Sequence, residues 1–230
     1  MKRTRRSVIG TLASVGSIAV AGCVNENLVD TTYECKIEEP KNIPTNSQPT
    51  LGRENALVEV SIYHDYSRGT SKVFAQNTLE RLITEYVETG KAKLVFHDAL
   101  VEEEEPWGYD LASVGRYLYA EHGQEAYQNY LLSIYTTDDE VTWQLVGDIA
   151  AKVSADPCTT ISHGSWKTYK KEIDQNKQDA LNSGISESPA VTVNGDRVED
   201  MSPLSETYEP IASKIDSELE FISTIHPTTG

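Results

Sequence analysis

The sequence predicts an α/β fold in which a βαβ unit and a ββα unit bracket a block of helices. Three observations carry this reading. Leu57-Val58-Glu59-Val60-Ser61-Ile62-Tyr63 and Lys91-Ala92-Lys93-Leu94-Val95-Phe96-His97 are strand-like runs, and Phe74, Leu79, Leu82, Ile83, Tyr86 and Val87 recur between them at helical spacing. From about 106 to 182 the apolar positions follow a helical period. Finally, Ala190-Val191-Thr192-Val193 and Arg197-Val198 flank Asn194-Gly195, a two-residue hairpin signal, ahead of one more helix-period run.

Met1 to Arg6 is basic and contains a twin arginine, and an apolar, small-residue run continues to Gly22. That run is about 15 residues, short of the roughly 20 a membrane-spanning helix needs, so residues 1–22 read as an export leader. Val20-Ala21-Gly22-Cys23 resembles a lipoprotein cleavage box, which would leave lipid on Cys23 and tie the protein to the outer face of the cytoplasmic membrane. An ordinary secreted protein with a chance cysteine is the other reading. Residues 23–53 are polar and carry Pro40, Pro44 and Pro49, the pattern of a tether holding the fold off the membrane.

The remaining elements come in order across a domain at 54–222. Gly90 ends the first helix, and the strands on either side of it should be parallel with a right-handed crossover. Leu111, Ala112, Gly115, Leu118 and Tyr119 mark a second helix; Tyr127, Tyr130, Leu131 and Ile134 a third; Val141, Leu145, Val146, Ile149 and Val153 a fourth. Asp138-Asp139-Glu140 suits the positive end of the fourth. A polar helix is expected from Ser165 to Leu181, and a last one opens at Ser202-Pro203 with Leu204, Tyr208, Ile211, Ile215 and Leu219 on one face. Residues 223–230 read as a flexible tail, and Glu102 to Glu105 as a solvated loop.

The chain of 230 residues carries a formal net charge of −16, and the leader holds Lys2, Arg3, Arg5 and Arg6 without an acid, so the chain beyond the leader is more acidic still. Such a surface repels nucleic acid and anionic lipid, which argues against either as a partner. An acid surplus in every segment with little lysine resembles the haloarchaeal type of exported protein, in which high salt screens self-repulsion.

Asp65-Tyr66-Ser67-Arg68-Gly69-Thr70-Ser71-Lys72-Val73-Phe74 sits at the first strand-to-helix turn. It resembles the turn of DsbA-type thioredoxin-fold proteins, Asp-Tyr-x-Cys-Pro-Tyr-Cys-x-x-Phe, with Arg68 and Ser71 where the two cysteines belong. Val95-Phe96-His97-Asp98-Ala99-Leu100 resembles the family's Phe-Arg-Asp-Phe-Pro-Leu, and Gly184 to Gly195 its Gly-Val-x-Gly-Thr-Pro-x-x-x-Val-Asn-Gly. The likeness spans most of Leu57 to Leu219. It implies a thioredoxin-like fold with an inserted helical domain, and it implies that Pro189 is a cis-proline facing the turn.

Dithiol exchange needs a low-pKa thiolate at the helix start and a second thiol to resolve the mixed disulfide. Arg68, Gly69, Thr70 and Ser71 supply neither. Ser67, Thr70 and Ser71 read most simply as cap and first-turn residues. Arg68 opposes the helix dipole, so a carboxylate such as Asp65 should offset it, or Arg68 with the helix amides binds an anion or a partner's carboxylate. Arg68 and Ser188 are the candidate ligand-binding residues. His64-Asp65 and His97-Asp98 close neighbouring strands and could hold a transition metal, although strand alternation can place the histidines on opposite faces; surface polar residues are the simpler reading. No cofactor is implied.

With Cys23 given to lipid, Cys35 and Cys158 remain. Two cysteines in an exported chain favour a structural disulfide, while the rival reading is two free thiols with Cys158 reactive. The sequence points to an exported lipoprotein that binds protein or peptide without dithiol chemistry. The alternatives are a thiol-disulfide oxidoreductase with atypical or indirect chemistry, and a structural envelope component.

Overall fold

The computed structural model describes residues 29–45, 48–101 and 106–225. A five-stranded sheet is built from β1 (Thr50–Leu51), β2 (Val58–His64), β3 (Ala92–Asp98), β4 (Ala190–Val193) and β5 (Asp196–Arg197) in the order β1-β3-β2-β4-β5. β2 and β3 pair in parallel with Ile62 opposite Phe96, and every other pairing is antiparallel. The parallel pair is connected by α1, a helical run of four consecutive segments, Gly69–Phe74, Ala75–Leu79, Glu80–Leu82 and Ile83–Val87, of which the second and fourth widen to π geometry. Strand alternation turns Val58, Val60 and Ile62 of β2 and Ala92, Leu94 and Phe96 of β3 into the main core.

The insertion consists of α2 (Gly108–Thr136), α3 (Trp143–Lys152), α4 (Pro157–Ser165) and α5 (Lys170–Asn182). α2 is two helices in series, since Gly123 breaks the helical backbone with φ 81° and ψ −174°, a conformation open to glycine. The second and third expected helices are therefore its two halves. α3 starts at Trp143, where the Thr142 hydroxyl accepts the Leu145 N–H. α4 was not expected: Asp156 caps it by accepting the Thr159 N–H at 2.7 Å, and Pro157 takes its first position. Consequently the polar helix begins at Lys170 rather than Ser165.

Asn194 and Gly195 turn the β4–β5 hairpin with φ 49° and 88°. Pro203 precedes a 3-10 turn, Leu204–Glu206, and α6 proper spans Tyr208–Ile225. α6 is fastened to α1 by the hydroxyls of Thr78 and Thr207 at 2.7 Å and by Tyr86 to Asp216 at 3.1 Å.

The expected tether differs most from the structure. Its described part packs on the domain: Cys35, Ile37 and Leu51 are buried, and β1 belongs to the sheet. Polar composition concealed this because the segment makes its contacts through a few spaced residues, and Cys35 is covalently joined to Cys158. Cys23, the leader and the Glu102 to Glu105 run lie outside the described residues. Among the described residues no helix is long and apolar enough to cross a membrane.

Candidate functional site

The turn after β2 is organised by a buried carboxylate. Asp65 is 3% exposed, and its Oδ1 accepts the Ser67 N–H at 2.9 Å and the Ser67 hydroxyl at 2.6 Å, an Asx-type turn that ends the strand. Burial pushes the Asp65 carboxyl up, and the Ser67 hydrogen bonds with the Arg68 charge pull it back down. Arg68 Nε stands 3.8 Å from Asp65 Oδ2, the offset expected for a cation at a helix start. Arg68 occupies the N-cap position of α1, whose backbone is extended there, and among the described residues no side chain caps this helix.

The serine and threonine of the turn have other tasks. Ser71 is fully buried and accepts the Asp65 N–H at 3.2 Å. Thr70 donates its hydroxyl to the Ser188 carbonyl at 2.8 Å, which links the helix start to the loop of the cis Ser188–Pro189 peptide bond. The expected cis geometry at Pro189 is present, and Ser202–Pro203 is also cis. Ser188 is buried with its carbonyl occupied, and it does not line the cleft that Arg68 faces. The structure thus brings Thr70 and Ser188 together while Arg68 serves a different surface.

That surface is a cleft of about 430 Å³ between the start of α1 and the insertion. Arg68, Gly69 and Lys72 line it together with Tyr66, Trp107 and Ile134, which give it apolar area, and with Asp139, Glu140 and Val141. Lys72 donates to the Thr137 carbonyl and lies 3.8 Å from Asp138. Trp107, with φ 75°, turns the chain into α2 and meets Trp143 edge to face at 4.7 Å. Gly108 comes next because a Cβ there would lie within 2.9 Å of Leu100.

Beneath the turn is a tyrosine core. Tyr66, Tyr127, Tyr130 and Tyr135 are buried, Tyr66 stacks on Tyr135 at 5.4 Å, and the Tyr135 hydroxyl hydrogen-bonds His64 Nδ1 at 2.7 Å. Burial raises all four phenols well above their usual range, so they stay protonated. His64 is held neutral by burial, its pKa lowered to about 3. His97 stacks on Tyr63 at 4.6 Å and reaches Ser61 at 3.3 Å on the opposite face of the sheet, so the two histidines do not converge on a metal. Among the described residues no group of three or more potential ligands gathers.

A buried ionic network supports the end of β3, and reading the sequence missed it. Arg116 donates from Nε to Asp98 and from its terminal nitrogen to Asn176 Oδ1 at 2.6 Å, and Asn176 exchanges hydrogen bonds with Gln48. Arg116 and Asp98 are 1% and 4% exposed. Burial pushes the Asp98 carboxyl up and Arg116 opposes that shift. The available signal was an arginine within the apolar pattern of α2, four residues after Ala112.

Cys35 and Cys158 form the expected disulfide, with Cα atoms 5.1 Å apart. It lies off the turn. Cys35 is buried, whereas Cys158, in the first turn of α4, borders a separate cleft of about 410 Å³ with Lys36, Lys41 and His163.

Comparison with solved structures places these features in a known frame. The chain is similar to BdbD from Bacillus subtilis in its oxidised form, with a TM-score of 0.65 and 19% identity over 78% of this chain and 100% of that one. DsbA from Chlamydia trachomatis aligns with a TM-score of 0.60 and 16% identity over 83% of this chain and 100% of that one. A periplasmic thioredoxin-like protein from Salmonella enterica serovar Typhimurium gives 0.60 and 15% over 75% and 90%. At these identities the likeness is one of fold. No curated protein matches the sequence. The family model described as thioredoxin matches residues 44–213, spanning β1 to the first turn of α6 together with the inserted helices, and the chain belongs to that family.

Proposed function

We propose that this thioredoxin-family protein is exported, is anchored through lipid on Cys23, and binds protein or peptide in the Arg68 cleft without dithiol exchange. The observation carrying this reading is that the two cysteines outside the leader region are joined to each other away from the turn, while the turn presents a cation beside an open aromatic cleft. Thiol exchange at the turn would require a thiolate that neither Arg68 nor the buried Ser71 can supply. A carboxylate or acidic side chain of a peptide fits Arg68 and the backbone amides at the start of α1, and its apolar groups fit Trp107 and Ile134. The acidic balance of the whole chain disfavours nucleic acid.

A random peptide library selected on the oxidised protein tests the reading. Enriched peptides should share a carboxylate next to an aromatic or branched apolar residue and lose at least tenfold in affinity for Arg68→Ala. Selection of no common motif, or motifs bound equally by that variant, would reject the cleft as the site. Cys158 gives the oxidoreductase reading one specific support, since it is the less buried residue of the pair and lies at a helix start. Turnover of a dithiol peptide that disappears in Cys158→Ser would favour it.

A further inference from the structure

A buried polar chain beneath the turn has no part in peptide binding. The Asp65 N–H donates to Ser71 Oγ at 3.2 Å, the Ser71 hydroxyl hydrogen-bonds the Tyr135 oxygen, and that oxygen lies 2.7 Å from His64 Nδ1. Ser71, Tyr135 and His64 are 0%, 2% and 2% exposed. The available donors fix the direction. Ser71 already accepts from Asp65, so its own proton goes to Tyr135, and the phenol proton goes to His64 Nδ1. His64 is then a neutral imidazole with its proton on Nε2, which has no hydrogen-bond partner among the described residues; its ring meets Tyr66 and Phe96 edge to face at 4.7 and 5.6 Å.

The neighbouring phenols lack such a base. Tyr130 donates to the Leu111 carbonyl at 2.8 Å, and the hydroxyls of Tyr66 and Tyr127 face each other at 3.4 Å. All are nevertheless ring neighbours: Tyr135 stacks on Tyr66 at 5.4 Å, Tyr66 meets Tyr130 at 5.6 Å, and Tyr127 meets Tyr119 at 5.8 Å. The series joins two clefts. Tyr66 and Tyr135 line the Arg68 cleft, and Tyr119 lines one of about 540 Å³ with Thr50 and Gln124.

We propose that Tyr135 is a redox-active tyrosine through which the protein scavenges one-electron oxidants. The oxidant class is small anionic radicals such as the carbonate radical, and the reductant class that resets the site is an enediol such as ascorbate. Both are anions, and Arg68 and Lys72 draw them to the one cleft that Tyr135 lines, on a chain that otherwise repels them. In the first step the oxidant takes one electron from an aromatic ring of the cleft, and the vacancy passes between the packed rings to Tyr135. There the O–H bond breaks and an N–H bond forms at His64 Nδ1, leaving a neutral phenoxyl radical beside an imidazolium. An oxidised phenol is a far stronger acid than imidazolium, so the short hydrogen bond to a nitrogen base decides which ring keeps the vacancy. Burial lowers the His64 pKa to about 3, which keeps Nδ1 unprotonated and able to accept near neutral pH. The same burial keeps the radical from coupling with another phenol. In the second step the enediol gives one electron to the phenoxyl ring and the proton returns from His64 to the phenolic oxygen. The oxidant is reduced and the enediol oxidised by one electron each, and the protein is unchanged. Neither step uses a thiol.

Flash photolysis of ruthenium(II) tris-bipyridine with a cobalt(III) quencher delivers the one-electron oxidant to the disulfide-intact protein, and freeze-quenched electron paramagnetic resonance identifies the radical. The long-lived signal should be a tyrosyl radical whose hyperfine pattern changes when histidine is labelled with heavy nitrogen. Its yield should fall several-fold in Tyr135→Phe, although the other tyrosines remain. An equal yield in that variant overturns the assignment. A tyrosyl signal indifferent to the histidine label overturns the proton transfer and with it the proposal, and this is read on the parent protein, whatever the fate of any variant. Scavenging is read with radiolytic carbonate radical and ascorbate. The parent should regain its starting mass over repeated cycles, while Tyr135→Phe accumulates oxidised tryptophan and coupled tyrosine several-fold faster. Equal damage in the two proteins overturns the scavenging role.

Discussion

Replacing Cys35 and Cys158 together with alanine should cost this protein about 5 kcal/mol. The two residues are 123 apart in sequence. In the chain-entropy model, a loop of that size restricts the unfolded chain by about 16 cal/mol/K, or about 5 kcal/mol at 25 °C. The native side loses little contact area, because Thr32, Tyr33, Ile37 and β1 still hold the segment to the domain. With a urea slope of about 2–3 kcal/mol/M, the unfolding midpoint should fall by about 2 M. Equilibrium urea unfolding of the oxidised protein beside the double variant measures this directly. Hydrogen exchange should show the largest native-state loss of protection at 29–45 and in α4. Coincident unfolding curves would refute the structural assignment of the bridge.

Buried groups give two further expected outcomes. Arg116→Met strands the Asp98 charge and should destabilise by about 3–5 kcal/mol, while adding Asp98→Leu should restore a large part of it; denaturant unfolding of the two variants checks both. The buried histidines make the fold acid-sensitive. His64 is lowered to about 3 and His163 to about 4, and His97 is shifted in the same direction by burial. Below about pH 6.5 the unfolded chain binds protons at these sites that the folded chain does not, so stability falls with pH, by up to about 1.4 kcal/mol per pH unit for each site. Asp65 and Asp98, raised by burial, act in the opposite sense at lower pH, so the slope is best read between about pH 6.5 and 5. His163→Phe keeps the stack on Tyr117 and should reduce proton uptake on unfolding by about one proton. An unchanged pH slope would contradict the neutral, buried state of that ring.

The sheet and the turn were legible because strand alternation and the Asn194-Gly195 pair are local signals. Pro189 and the Arg68 turn were legible through their resemblance to the family. α4 was hidden by its short length and by Gly164, although Asp156-Pro157 spelled its start. The packed strap at 29–45 was hidden because proline and polar residues dominate it, and its few anchors contact groups more than 100 residues away, such as Asp148 and Cys158. The role of Ser188 was invisible for a related reason: it is the backbone carbonyl, not the side chain, that meets Thr70. The tyrosine core under the turn and the Arg116–Asp98 pair likewise depend on tertiary burial, which polar identity in sequence conceals.

We propose that the thioredoxin-family turn works here without thiol chemistry. Its most direct test is the oxidation of a reduced two-cysteine peptide by the disulfide-intact protein in a glutathione buffer, with mass spectrometry of both peptide and protein. Oxidation should proceed at the uncatalysed rate, with no peptide adduct on Cys35 or Cys158. Catalysed oxidation with a mixed disulfide trapped at Cys158 would contradict it.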